Sequence, residues 1–350
     1  MKTKNIFRDV AAMLPPYEKM LSGVPLNISS SATEIRIRAG RPIVIETPNE
    51  RYFCGSHCAS VDEIFECIRI FTDYSIYSCK KELSEGWITL RGGHRVGFSG
   101  TAHNKAGIIE TINDVSSLNV RISREHKGIS QSIYNLTVKN EMFSGLIIAG
   151  KPLSGKTTIL RDLCRLCGNN FKTALIDERS EIAAVYAGIP QNDIGINTDV
   201  LNRYTKYDGI NHAMRVLSPE IIICDEIGDE CEILQRNSSA GIRFILSVHC
   251  GNMYEMRHNK VIKSLISSGI ANFIALLDVG KNIGKMKGIW FIEDGESVDI
   301  CDDGNNLLYN WDNNFSGIEN ESYSIEKVHR YAGGNECPYS LQSNSHKGFD

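Results

Sequence analysis

GLIIAGKPLSGKTTILRDLCRLC, residues 145–167, decides the reading of this chain. A short apolar run ends in a glycine, a turn follows, and a second glycine precedes Lys156 and two threonines. Gly150, Lys151, Pro152, Leu153, Ser154, Gly155, Lys156 and Thr157 satisfy the pattern G-x-x-x-x-G-K-[ST] in full. A loop that wraps an anion must turn its backbone N–H groups inward, and side chains would block that approach. The pattern alone arises by chance in roughly one chain per hundred at ordinary glycine usage. Here a buried-strand pattern precedes it and a helical pattern starts at Thr158, as a phosphate cradle requires. Gly150 to Thr158 are therefore the candidate nucleotide-binding residues. Lys156 is placed to reach the β- and γ-phosphates, and Thr157 to hold Mg²⁺. The implied cofactors are ATP and Mg²⁺.

Working outward, the runs TALID (173–177), IIIC (221–224) and FILSV (244–248) alternate with helical segments, followed by NFIALLDV and GIWFIED. Buried strands separated by helices imply a parallel sheet in an α/β domain. Three runs end in chemistry-bearing residues. IIICDE ends in Asp225, a Mg²⁺-holding candidate, and Glu226, a candidate general base. LIDERSEI carries Asp177, Glu178 and Glu181 at a sheet's carboxyl edge, where open α/β sheets bind ligands. ILSVH ends in Ser247 and His249, candidates to sense the γ-phosphate. One strand between the phosphate loop and IIICDE in sequence, a glutamate after the aspartate, and a polar residue on the next strand resemble the additional-strand, catalytic-glutamate class of P-loop ATPases. That class works as rings in which a neighbour's arginine completes each site.

The first part of the chain reads differently. Residues 1–30 have helical character up to Pro25. EIRIRAGRPIVIE then alternates with period two, with a turn at 39–42. Residues 61–72 space their apolar groups as a helix, 87–100 read as a hairpin turning at Gly92-Gly93, and 115–124 as a further strand. The expected organisation is a small α+β domain over 1–128, a RecA-type P-loop domain with a parallel sheet over 129–299, and a disordered polar tail over 300–350. A short helix is expected near 322–331.

Composition narrows the function classes. Over 350 residues the net charge is −4, and no Lys/Arg run with interleaved aromatics occurs, which argues against a nucleic-acid partner. No secretory signal is visible in MKTKNIFRDV, and the longest apolar stretch, 261–281, is interrupted by Lys263 and Asn272. The expectation is a cytoplasmic protein whose eleven cysteines are reduced. Cys164 and Cys167 have C-x-x-C spacing but fall within the helical pattern, and read as buried thiols. Cys54, His57 and Cys58 lack a second ligand pair and fall short of a zinc site.

Several stretches resemble the stage III sporulation protein AA ATPases of endospore-forming bacteria, relatives of type II and type IV secretion ATPases. They are EIRIRAGRP (34–42), LRGGHRVGFSG (90–100), DVSSLNVRISRE (114–125), AGKPLSGKTTILRDLCR (149–165), LIDERSEIAAVYAGIPQNDIGINTDVL (175–201), MRVLSPEIIICDEIGDE (214–230) and SVHCG (247–251). The resemblance spans about 30–295; the 300–350 tail has no counterpart. It implies ATP hydrolysis with Glu226, Lys156, His249 and Glu178 as catalytic residues, and Thr157 and Asp225 at Mg²⁺. It also implies trans-acting arginines, for which Arg95, Arg121, Arg124 and Arg215 are the candidates. By the same resemblance the protein is a homo-oligomer, a hexameric ring, on membrane proteins of a sporulation channel. Its place is then the mother-cell face of the outer forespore membrane. The alternatives are a nucleic-acid-dependent ring ATPase and an ATP-binding scaffold with little turnover.

Overall fold

The computed structural model describes residues 6–75, 80–105, 108–139, 143–228, 230–237, 241–280, 284–293, 296–299 and 308–310. The chain divides into two compact units. The first comprises the residues up to His126 together with Ser180–Asp193; the second comprises Lys127–Arg179 and the chain from Ile194. The segment 180–193, which sequence order alone assigns to the P-loop half, thus belongs to the first unit.

The first unit opens with α1 (Ile6–Ala12), a 3-10 turn at Pro15–Tyr17, α2 (Glu18–Ser22) and α3 (Leu26–Ser31). The expected helical stretch is real but divided, because Pro15, Pro16 and Pro25 each withhold a backbone donor. Strands β1 (Glu34–Arg38), β2 (Pro42–Glu46) and β3 (Arg51–Cys58) follow, then α4 (Val61–Phe71), α5 (Lys80–Glu85), β4 (Trp87–Thr89), β5 (Arg95–Lys105) and β6 (Ile108–Arg121). They form one sheet in the order β3-β2-β1-β6-β5-β4. The turn between β4 and β5 uses Gly92 and Gly93 at φ 81° and 77°, the left-handed region that favours glycine. Helix α4 starts at a capping box, in which Ser60 accepts from Glu63 N–H and the Glu63 side chain accepts from Ser60 N–H. Ile35, Ile37, Ile43, Ile45, Ile64 and Val96 are fully buried in this unit's core.

The second unit contains α6 (Gln131–Leu136), β7 (Gly145–Gly150), α7 (Lys156–Asn170), β8 (Thr173–Asp177), β9 (Thr198–Asn202) and α8 (Lys206–His212). A π turn at Ala213–Leu217 leads to β10 (Ile221–Cys224), α9 (Cys231–Asn237), β11 (Arg243–His249), α10 (Met253–His258), α11 (Lys260–Ser267), β12 (Phe273–Leu277), β13 (Met286–Glu293), β14 (Glu296–Asp299) and β15 (Leu308–Asn310). The sheet order is β15-β14-β13-β12-β7-β11-β10-β8-β9. From β12 to β9 neighbouring strands are parallel; β13, β14 and β15 extend the sheet antiparallel. The wholly apolar runs are fully buried, as strands covered on both faces must be. Strand β9 was not foreseen: only Leu201 of its five residues is buried, so its pattern carries little apolar signal.

The phosphate loop leaves β7 where the strand order reverses, with β11 on one side and β12 on the other. In space the strand between β7 and β10 is β11, not β8. Cys164 and Cys167 are buried within α7, as expected. Of the polar tail only β15 is described; the helix expected near 322–331 lies outside the described residues. No helix among the described residues is long and apolar enough to cross a membrane.

Candidate functional site: a phosphate cradle with a charged relay

The cradle is built by backbone geometry. Gly155 adopts φ 95° at the N-cap of α7, and no side chain caps that helix end. The first N–H groups of a helix lack intrahelical partners, so this end presents free donors and a positive dipole. Leu153 stands at φ 64° and is 91% exposed at the loop's tip. Ser154 is fully buried beneath it, and its Oγ has no hydrogen-bond partner. A Cβ at Gly150 would run into that Oγ and lie 3.3 Å from Leu277 Cβ. A tight loop, an orphaned buried hydroxyl and an uncapped helix N-terminus all suit a phosphate chain.

Lys156 is buried, and its Nζ donates to the carbonyls of Gly150 (2.9 Å) and Lys151 (3.0 Å) and to His249 Nδ1 (3.2 Å). Burial pushes its ammonium below the usual lysine range, and the charges of Asp225 and Glu226 offset part of that. The pairing of β11 with β7 sets His249 opposite Gly150, which is why a residue 93 positions away reaches this lysine. With Nδ1 accepting from the ammonium, Nε2 is the ring's donor, and it lies 3.0 Å from Glu226 Oε1. Glu226 Oε2 in turn meets Arg179 Nη1 at 2.8 Å.

Beside this relay sits the candidate metal pair. Thr157 Oγ1 donates to Asp225 Oδ2 at 3.1 Å, and Ser247 Oγ donates to Asp225 Oδ1. Ser247 also accepts the Glu226 N–H at 2.8 Å, so one buried hydroxyl on β11 orients both acids. Glu226, just beyond β10, stands at φ 51°, a left-handed conformation that costs a non-glycine residue free energy, and its carboxylate has other partners than that of Asp225. A Mg²⁺ ion needs one or two carboxylates or hydroxyls and takes its remaining ligands from phosphate and water. Thr157 and Asp225 fit that demand.

Glu178 lies in a second cluster, 3.2 Å from Lys206 Nζ, with Glu230 at 3.7 Å. Burial opposes the charge on Lys206, but the hydrogen bond to Glu178 and the charges of Glu230 and Glu178 outweigh it and raise its pKa. Asp177 is buried, and its carbonyl accepts from Arg203 N–H. Three of the four candidate arginines are engaged inside the first unit. Arg95 meets Glu181 at 2.7 Å and stacks 3.6 Å over the Trp87 ring. Arg121 lies 3.4 Å from Glu34, and Arg124 donates to the carbonyls of Ala32 and Ser30. Arg215 is exposed on the π turn after α8. His57 contacts Glu63, and among the described residues no cluster of His, Cys, Asp or Glu can hold a metal by itself. Sequence reasoning overlooked Arg179 and Lys206. Arg179 was visible as the one basic residue among the acids of LIDERSEI; Lys206 carried no local signal.

The sheet order, the cradle at its reversal point and the paired acids at the next strand ends define a RecA-like P-loop protein. Two solved structures share this fold. The Legionella pneumophila ATPase DotB has a TM-score of 0.50 at 17% identity, covering 84% of this chain and 83% of DotB. The pilus retraction motor PilT, solved with ADP, has a TM-score of 0.51 at 15% identity, covering 76% and 80%. The chain belongs to the sporulation stage III, protein AA family, whose profile matches residues 2–298. Stage III sporulation protein AA of Bacillus subtilis (strain 168) is 34% identical over 266 residues, 73% of this chain and 86% of that one. Uncharacterized protein ycf45 of Cyanidium caldarium is 28% identical over 179 residues, 47% of this chain and 52% of that one.

Proposed function

We propose that the chain hydrolyses Mg-ATP, and that turnover drives or gates a secretion-like channel between mother cell and forespore. One observation carries the hydrolytic reading: Lys156, His249 and Glu226 form a continuous hydrogen-bonded relay beside the Thr157–Asp225 pair. Lys156 exchanges its carbonyl partners for the β- and γ-phosphate oxygens. Thr157 and Asp225 would hold Mg²⁺, which when bound would neutralise charge that develops on the phosphates. His249 moves with Lys156 and reports the γ-phosphate to Glu226, which accepts the proton of the attacking water. Membership of the sporulation family supports the biological setting. The resemblance to secretion ATPases suggests the working form, a hexameric ring docked on membrane proteins at the mother-cell face of the outer forespore membrane. A neighbouring subunit's arginine, from among Arg95, Arg121, Arg124 and Arg215, completes each site.

The test is ATP turnover against protein concentration for the wild type and Glu226→Gln, with mass measured on the same samples. Turnover that rises more than linearly, tracks a ring-sized species and falls at least a hundredfold in the variant, on the order seen for lost general bases, is the expected result. Turnover that is linear in concentration and equal in the two proteins overturns the reading.

A further inference from the structure

We propose that Arg179 is a positioning residue for the hydrolytic glutamate, holding the Glu226 carboxylate in the plane in which it meets the attacking water. The inference rests on the hydrolytic reading above and names a residue that reading does not use.

Glu226 has its main chain fixed, and its side chain is 25% exposed. Its N–H is bound by Ser247 Oγ, and its φ of 51° sets where the side chain leaves the backbone. The last torsion of a glutamate is broad and nearly two-fold, so one contact leaves the carboxylate free to rotate. Two contacts on different oxygens fix its plane. His249 takes Oε1 and Arg179 takes Oε2. The unused lone pairs of both oxygens remain available to a water.

The pairing is selective. Every acid near Arg179 in its own segment is otherwise engaged. Glu178 meets Lys206 at 3.2 Å, Glu181 meets Arg95 at 2.7 Å, and Asp177 is buried at the end of β8. The guanidinium therefore goes to Glu226. Its backbone is held on both sides. The Asp177 carbonyl accepts from Arg203 N–H, and the residue after Arg179, Ser180, stands at φ 52° with its Oγ accepting from Val185 N–H. Arg179 is also the last residue before the chain enters 180–193, a segment of the first unit. That side chain is 61% exposed, so the ion pair adds little to stability. Its value lies in direction.

The experiment compares wild type, Arg179→Ala, Arg179→Lys and Glu226→Gln in the full chain. It measures kcat, KM, affinity for a fluorescent ATP analogue, and thermal unfolding. Arg179→Ala should lower kcat about ten- to a hundredfold, as misplaced catalytic groups do, with KM and analogue affinity within about twofold of wild type. Arg179→Lys, a point charge able to make one contact, should recover part of the loss. Millimolar guanidinium ion should raise turnover of Arg179→Ala saturably and leave Glu226→Gln unchanged. A kcat within twofold of wild type overturns the proposal, as does a loss confined to KM or analogue affinity, or the absence of any recovery by lysine and guanidinium. If Arg179→Ala does not fold, the lysine variant carries the same comparison: a folded Arg179→Lys with wild-type kcat and wild-type KM overturns the proposal. Wild-type protein without Glu226-dependent turnover overturns the hydrolytic reading itself, and this proposal with it.

Discussion

At the scale of single residues, the cradle depends on two atoms that are absent or unpaired. Gly150 has no Cβ, and Ser154 Oγ has no partner. Gly150→Ala would push a methyl group into that hydroxyl and against Leu277, with the β7 backbone unable to yield between two parallel neighbours. The expected outcome is a loss of nucleotide affinity of about five- to a hundredfold, on the scale of one overpacked site at about 1–3 kcal/mol. Fluorescent-nucleotide titration measures it, and unchanged affinity would show that phosphates do not use this loop. The residues that meet here are readable from the chain because they lie in the glycine-rich pattern or at the end of an apolar run. Their mutual contacts were not readable, because His249 and Lys156 meet only through strand register.

At the scale of elements, α7 does more than present its N-terminus. Asp162, with its side chain 2% exposed, accepts from the N–H groups of Gly128 (3.0 Å) and Ser130 (2.8 Å) and from the Arg165 guanidinium (2.7 Å). It ties the segment leading into α6 to the helix that carries the cradle. Asp162→Ala strands two backbone donors and a half-buried cation, so it should cost about 2–4 kcal/mol in denaturant unfolding of the second unit. A loss below about 0.5 kcal/mol would place Asp162 among ordinary surface charges. Strand-level reading was good where burial was complete and poor where it was not. The buried runs of β7, β8, β10 and β12 stand out in the sequence, whereas β9 leaves no pattern and β6 starts at Ile108, before the alternation that opens at 115. An edge strand with one buried residue leaves no period to detect.

For the whole molecule, two units with separate cores should unfold in two steps, and one buried histidine marks the first. His94 is 3% exposed, and its Nδ1 accepts from Ser123 N–H at 3.0 Å. Burial pushes its pKa down to about 4, with Asp9 opposing the shift and Arg124 adding to it. The unfolded chain binds a proton near pH 6.5 that the folded unit refuses until about pH 4. Stability is therefore full above 6.5 and is lost as pH falls through that window, by roughly 3 kcal/mol in all. Unfolding of the first unit at pH 7 and pH 5 should show the loss. His94→Asn, which keeps an acceptor for Ser123, should flatten it relative to wild type without altering the pH response of the second unit's transition. An equal slope in the variant would remove His94 as the source.

Local spacing marked the candidate cradle and the candidate acids after the third apolar run, and it carried the division into an α+β part and a P-loop part. Loops that bind phosphate and strands buried on both faces impose demands that are met within about ten consecutive residues. Long-range order lay beyond that reach. IIIC and FILSV both read as buried strands, and nothing in their composition says which lies beside β7. The fold places β11 there, and with it Ser247 between the two acids and His249 against Lys156. Nor does any period assign 180–193 to the first unit or aim Arg179 at Glu226. Those choices depend on contacts between residues tens of positions apart, which packing and register settle and hydrophobic pattern alone leaves open.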